Sequence, residues 1–416
     1  MAANGGLIYS VEVLRKGVEM SYQDFLEQKR LEIPVSGFDV ADSDLNPALF
    51  GFQAAIVKWA VKRGKAAIFS ECGTGKALME LEWGRLVAER ENGKVLLLTP
   101  LAVAHQTVRE GEKFNIPCRY VRSQEEADNA PENVIVTNYD MLKAFDPSKL
   151  VGVILDESSI LKNFTGATKR AIFQAFDTTP YKLAASATPA PNDHLELGNH
   201  AEFLEVMDSN EMISRWFIND TMNAGGYRLI KHAEKHFWEW VSTWAVCVSK
   251  PSDLGFSDEG WILPEPIFHN HNVEVDHSHA HEQGQLFLMG GASATQIWRD
   301  KSRTSFDRCV KAAAIANSTD TYCIVWCETN EESELLTSLI PDALEVKGSH
   351  SVAIKEERLR LFSEGKARVI VTKPDIAGFG LNWQHALTQI FVSMTFSFEK
   401  FYQALRRSLR FGLKGE

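Results

Sequence analysis

The chain has 416 residues, 44% hydrophobic and 24% charged, the make-up of an ordinary globular protein with room for two or three domains. A formal net charge of −11 excludes a uniformly basic, nucleic-acid-coating protein and leaves only local basic grooves, such as Lys58-Lys62-Arg63-Lys65, Arg299-Lys301-Arg303-Arg308-Lys311 and Arg406-Arg407-Arg410. The six cysteines (Cys72, Cys118, Cys247, Cys309, Cys323, Cys327) form no CxxC pair or disulfide framework; with no apolar run long enough to span a membrane and no secretory pattern at the N-terminus, a cytoplasmic location is expected.

Residues 1–37 read as a lead-in with one amphipathic helix near Ser21–Arg30. Helix Gln53–Arg63, strand Ala66–Phe69, the glycine turn SECGTGKA at 70–77 and helix Ala77–Glu91 follow. Strand Val95–Thr99 ends in Pro100; then come helix Ala104–Phe114, strand Cys118–Val121, helix Gln124–Asn129 and strand Val134–Thr137. Strand Val151–Leu155 carries the pair Asp156-Glu157, and helix Gly166–Phe176 leads to strand Tyr181–Ala185 and the string SATPAPND. Strands alternating with helices predict a parallel, helix-covered sheet whose ligands lie at the carboxyl ends of the strands.

From 206 to 270 the rhythm breaks, with Trp216, Phe217, Phe237, Trp238, Trp240 and Trp244 in helix-like text, read as a helical insert closed by the linker ILPEPIF. The alternation resumes after about 305, with helices Phe306–Asn317, Glu331–Leu339, Ser351–Glu364 and Phe398–Leu409 among strands Tyr322–Cys327, Leu344–Val346, Arg368–Thr372 and Gln389–Val392. This second α/β unit has no phosphate loop, so the two units are expected to share one nucleotide cleft. The division is a lead-in 1–37, a first lobe 38–205, the insert 206–270 and a second lobe 271–416.

In SECGTGKA the backbone N–H groups of Gly73, Thr74, Gly75 and Lys76 can turn inward on a triphosphate, as in ATP, at the start of a helix. Lys76 would reach the outer phosphates. Ala77 stands where a Ser or Thr hydroxyl normally binds magnesium, and its lack of a hydroxyl predicts weaker metal positioning. Asp156 is expected to hold Mg2+ and Glu157 to orient and deprotonate the attacking water. Ser186 and Thr188 either sense the nucleotide or cap a helix. Arg407 and Arg410, three apart on a helix, are placed to cross the cleft as arginine fingers, with Gln403 one turn back; a surface salt-bridged helix is the plain alternative. Gln53 could read an adenine edge. The five histidines in HNHNVEVDHSHAH (269–281) read as a polar surface strand rather than a metal site.

As an ordered set these strings resemble superfamily 2 helicases, specifically Swi/Snf-like translocases, and most closely the compact helicases of bacteriophages and prophages. The resemblance rests on FQAAIVKWAVKRGKAAIF, SECGTGKA, TPLAVAHQ, TNYDML, LDESSILKN, SATPAPNDHLELGNHAEFL, IVWCETN, GFGLNWQHA and QALRRSLRFG, covering about 40 to 412. It implies an α/β fold of two RecA-like parallel-sheet lobes with a helical insert between them. The implied activity is hydrolysis of ATP with Mg2+, by a monomer, coupled to movement on duplex DNA without sequence preference. By position it puts Thr99, Pro100, Asn138 and Asn382 at DNA, and Gly378 and Gly380 in motifs of DNA contact or coupling, Gly380 and Gln403 bordering the nucleotide. Ala77 departs from the family's usual Thr, and the text ends within a few residues of RFG, where members continue with Gln and a further element. Two other functions stay open: a nucleotide-gated DNA-binding module with impaired hydrolysis, because of Ala77, and a strand-separating DNA or RNA helicase.

Overall fold

The computed structural model describes residues 35–162, 166–220, 226–273, 294–378, 381–393, 397–411 and 413; the helix expected near Ser21–Arg30 and the expected nucleotide contact Gly380 lie outside them. In the first lobe α1 (Gly51–Arg63) leads into β1 (Lys65–Ser70), the glycine turn and α2 (Lys76–Glu91). Next are β2 (Lys94–Thr99), α3 (Leu101–Lys113), β3 (Cys118–Tyr120), α4 (Gln124–Asn129) and β4 (Val134–Asn138). The lobe continues through β5 (Leu150–Asp156), α5 (Ala167–Phe176), β6 (Tyr181–Ser186) and α6 (Leu197–Phe203).

The stretch expected to be a helical insert is mixed. It contains α7 (Ser209–Trp216), an antiparallel pair β7 (Phe217–Asp220) and β8 (Gly226–Leu229), α8 (Glu234–Trp244) and β9 (Ala245–Val248). The run Ala-Val-Cys-Val after Trp244 joins the first lobe's sheet beside β1, with Ser70 opposite Val248. Its β-branched residues suit a pleated edge better than a helix end. The aromatics anchor this return: Trp244 packs edge-on against Phe69 and Trp240, at 6.1 and 5.4 Å between ring centroids.

The completed sheet is parallel throughout, in the order β3-β4-β2-β5-β6-β1-β9. Helices cover both faces, so its central strands are apolar runs rather than alternating ones, and every residue of β4 and β6 is buried.

The second lobe runs α9 (Ala294–Arg303), α10 (Ser305–Asn317), β10 (Cys323–Trp326), α11 (Asn330–Leu339) and β11 (Ala343–Val346). It ends with α12 (Val352–Ser363), β12 (Val369–Thr372), α13 (Pro374–Ala377), β13 (Thr388–Phe391) and α14 (Phe398–Leu405). Its parallel sheet has the order β11-β12-β10-β13, with Val325, Leu336 and Cys309 packed on one face and Trp326, Phe362 and Trp383 on the other. Helix α14 stops short of the expected Leu409. The Arg407 carbonyl accepts the Trp383 N–H at 2.9 Å, which draws the backbone out of helical register.

Trp244 is fully buried and joins the insert to β1. Trp244→Ala is expected to cost about 3–5 kcal/mol through lost burial and the cavity left behind, read as a lower urea midpoint.

Candidate nucleotide site between the two lobes

Parallel register brings chemically active residues to one edge of the first sheet. Phe69 lies opposite Ser186, Leu98 opposite Leu155, Thr99 opposite Asn138 and Asp156 opposite Ala185. The turn after β1 is built on two left-handed glycines, Gly73 (φ 89°) and Gly75 (φ 85°). A Cβ on Gly75 would stand 2.3 Å from Gln53 Nε2, so the position excludes a side chain twice over. Gln53, expected to read a base, is buried and occupied otherwise: its Nε2 donates to the Thr74 carbonyl at 2.7 Å and its Oε1 accepts the Phe50 N–H at 2.9 Å. It braces the loop. Lys76 Nζ donates to the Ser70 carbonyl at 2.7 Å, holding the ammonium over the concave side, and Ala77 follows, half-exposed, with only a methyl.

Asp156 ends β5. Its Oδ2 accepts the Thr99 hydroxyl at 2.7 Å, and its carbonyl accepts the Tyr139 hydroxyl at 2.7 Å. Glu157 has left-handed backbone (φ 56°), rare outside glycine, and its buried Oε2 has no hydrogen-bond partner. A third carboxyl, Glu80, had no expected role; it is 1% exposed and its Oε1 is likewise unpartnered. Burial pushes the pKa of all three up; the Asp156 charge adds to this at Glu80 and Glu157, and Lys76 opposes it at every one.

Among the described residues no three His, Cys, Asp or Glu side chains form a ready cation cage. The residues nonetheless fit magnesium arriving with a triphosphate: two orphaned carboxylate oxygens, an oriented aspartate and a lysine flank a glycine cradle, and Mg2+ is usually held by one or two carboxylates plus substrate phosphates.

The second lobe closes the crevice. Gln403 Oε1 accepts from the Cys72 thiol at 3.3 Å, and its Nε2 donates to the Thr188 hydroxyl at 3.4 Å. Thr188 in turn donates to Glu399 at 3.3 Å, and Glu399 also pairs with Lys162. Arg407 is fully buried and does not cross the cleft: it donates to the carbonyls of Gln403 at 2.8 Å and Leu381 at 2.9 Å and to Gln403 Oε1 at 3.1 Å. Burial, and after it the neighbouring Arg410 charge, lowers its pKa to about 9, so it remains a cation at neutral pH. Since α14 has already ended, Arg407 and Arg410 do not share a helical face. Arg410 donates from Nε to the Arg406 carbonyl at 2.8 Å, and its Cα lies 3.4 Å from where a Gly73 Cβ would be.

The arginine that crosses is Arg406, which had been expected only as part of a basic run. It donates to the Cys72 carbonyl at 3.0 Å and lies 3.5 Å from the Glu71 carboxylate. Lys76 and Arg407 act electrostatically on Glu157, and Glu157 on Arg410.

The residues expected at DNA divide. Thr99 and Asn138 are buried, Thr99 donating to Asp156 and Asn138 donating to the Tyr120 hydroxyl at 3.1 Å while accepting the Asp140 N–H at 3.0 Å. Pro100 is half-exposed at the start of α3, and Asn382 is exposed, its N–H donating across the lobes to Gln106 Oε1 at 3.2 Å. Next to the phosphate loop, Trp261 stacks on Phe411 at 4.1 Å with Phe50 edge-on at 5.4 Å, bordering a crevice that also touches Gly73, Thr74 and Arg406. Of the histidine-rich stretch, residues 274–281 lie outside the described residues.

Three signals lie in the sequence: an acid four residues after Lys76 within the apolar start of its helix, the first arginine of the run, and a tryptophan before the linker prolines.

Residues 305–412 match the helicase conserved C-terminal domain family. The resemblance to superfamily 2 helicases is thereby borne out over the second lobe. No curated protein matches the chain. Among solved structures it is similar to the Sulfolobus solfataricus SWI2/SNF2 ATPase core in complex with dsDNA, at 16% identity and a TM-score of 0.45, over 86% of this chain and 84% of that one. No helix among the described residues is long and apolar enough to cross a membrane.

Beneath the acidic pair, His200 is fully buried; its Nε2 and the Ser158 hydroxyl are 3.1 Å apart, and burial lowers its pKa to about 4. The unfolded chain takes up this proton near pH 6.5, the fold only near pH 4, so the stability His200 confers is complete above about pH 6.5 and is lost as pH falls towards 4. His200→Gln should flatten the acid side of a plot of urea midpoint against pH, removing up to about 3 kcal/mol of its fall.

Proposed function

We propose that the chain is an ATP-dependent DNA translocase of the helicase type, similar to the compact bacteriophage members its motifs resemble. The observation that carries the reading is the single crevice in which the glycine loop, Lys76, Asp156 and Glu157 of one lobe meet Gln403, Arg406 and Arg410 of the other. A solved dsDNA complex of a SWI2/SNF2 ATPase core is among the similar structures, and the helicase C-terminal domain match agrees.

In this reading the N–H groups of Gly73 to Lys76 and the Lys76 ammonium bind the phosphates, and Trp261, Phe411 and Phe50 border the base. Asp156, aligned by Thr99 and Tyr139, would hold magnesium, which when bound neutralises charge on the outer phosphates. Glu157 keeps one carboxylate oxygen free to orient a water and accept its proton. Its raised pKa makes it a better base than an exposed glutamate. Arg406 and Gln403 tie the nucleotide's presence to closure, because both touch the loop that the phosphates would fill. Reopening after hydrolysis breaks those ties and shifts one lobe along DNA held across Asn382 and Pro100.

A second reading, a nucleotide-gated DNA binder that turns over poorly, is favoured by Ala77 and by the burial of Arg407 inside its own lobe. Phosphate release with and without duplex DNA decides between them. We expect DNA to stimulate release, DNA affinity to fall linearly with salt on logarithmic axes, and Glu157→Gln to cut turnover by about 10²-fold or more with nucleotide still bound. Turnover that ignores DNA overturns the translocase. Zero turnover with ATP-sensitive DNA binding selects the gated binder. Arg406→Ala is expected to reduce DNA stimulation more than it weakens ATP affinity, measured in the same assay and by nucleotide titration.

A further inference from the structure

Two buried glutamates lie two residues apart on α2 and differ in kind. Glu82 is fully satisfied: Arg85 donates to it at 2.8 Å and the Asn46 N–H at 2.7 Å. Glu80 is as deeply buried, at 1% exposure, yet its Oε1 has no partner. A buried carboxyl oxygen left unsatisfied is destabilising and calls for an explanation in the ligand-bound state. Glu80 lies three residues after Ala77 and four after Lys76, on the same face of the helix, and helical side chains lean towards the N-terminus. Helix geometry therefore turns its carboxyl towards the Lys76–Ala77 end of α2. There it acts electrostatically on the same groups as the strand-tip acids, Lys76, Asp156 and Glu157, and on the Tyr139 hydroxyl.

We propose that Glu80 supplies to the magnesium of a bound nucleotide, directly or through one of its waters, the oxygen that Ala77 lacks. The inference rests on the ATP reading above and adds a ligand from α2 to the Asp156 of β5. Magnesium needs hard oxygen ligands, and a methyl gives none. The small Ala77 side chain leaves the space that a Thr would take. Because no three carboxylates are gathered into a cage among the described residues, the site completes only when phosphates arrive. An extra carboxylate also disfavours metal-free ATP by charge repulsion, so Glu80 makes nucleotide binding depend more strongly on the cation.

The test is equilibrium titration with a fluorescent ATP analogue in Mg2+ and in EDTA, which needs no turnover. For the parent protein Mg2+ should strengthen binding. Glu80→Gln should shrink that Mg2+-linked gain about tenfold, as outer-sphere and ligand changes do, while affinity in EDTA does not fall. Adding Ala77→Thr to Glu80→Gln should restore the gain, and adding it to the parent should change the gain by less than twofold. Glu80→Gln with the full Mg2+ gain overturns the proposal, and so does an equal loss in both conditions, which marks a purely structural residue. If Glu80→Gln does not fold, Ala77→Thr alone decides: a gain rising about tenfold means that the position was not already served. A parent protein that binds no ATP in either condition overturns the nucleotide reading and this inference together.

Discussion

The constraint on which the rest of this structure turns is the burial of Glu80, Asp156 and Glu157 beside Lys76. Three carboxyls withdrawn from water near one another repel, and their raised pKa values express that cost. No packing advantage compensates, because two of their oxygens lack any partner. Such an arrangement makes sense when the missing partner is a cation and a polyanion that arrive together. The parallel sheet makes it possible. Strands buried on both faces end in register, so polar residues at their tips are carried to one edge and held there rigidly.

The frame continues outward through polar residues that lie beside the crevice. Gln53, Thr99, Asn138 and Tyr139 each spend their hydrogen bonds on the frame: on the glycine loop, on Asp156, or on a neighbouring turn. Pre-aligned donors of this kind reduce the reorganisation needed when charge develops. The other wall is different. Gln403, Arg406, Glu399 and Thr188 reach the first lobe through side-chain hydrogen bonds and the ion pairs Lys162–Glu399 and Arg406–Glu71, bonds that can break and reform without disturbing either core. A firm floor and a releasable wall are what a closing cleft requires.

The insert shows how tertiary packing overrides a local pattern. HAEKHFWEWVSTWAV reads as one long helix, and most of it is one. The helix ends at Trp244 because the following Ala-Val-Cys-Val can pair with β1 and bury Ala245 and Val248. A similar competition ends α14 at Leu405, where a strand-like hydrogen bond from Trp383 captures the Arg407 carbonyl. Only nearness to another segment reveals either stop.

Much was legible from the residues alone. Apolar runs bounded by turn residues located the parallel strands; the glycines around Lys76 and the Asp156-Glu157 pair marked the proposed phosphate and metal side, since few other residue types permit that curvature or that charge at a strand tip. The sequence could not tell which of three clustered arginines crosses the cleft, because Arg406, Arg407 and Arg410 are alike until the helix end fixes their directions. Nor could it tell Glu80 from Glu82, or a base-reading Gln53 from a bracing one. Those differences consist of which partners are within about 3 Å, and partners tens or hundreds of residues apart are brought together only by the folded chain.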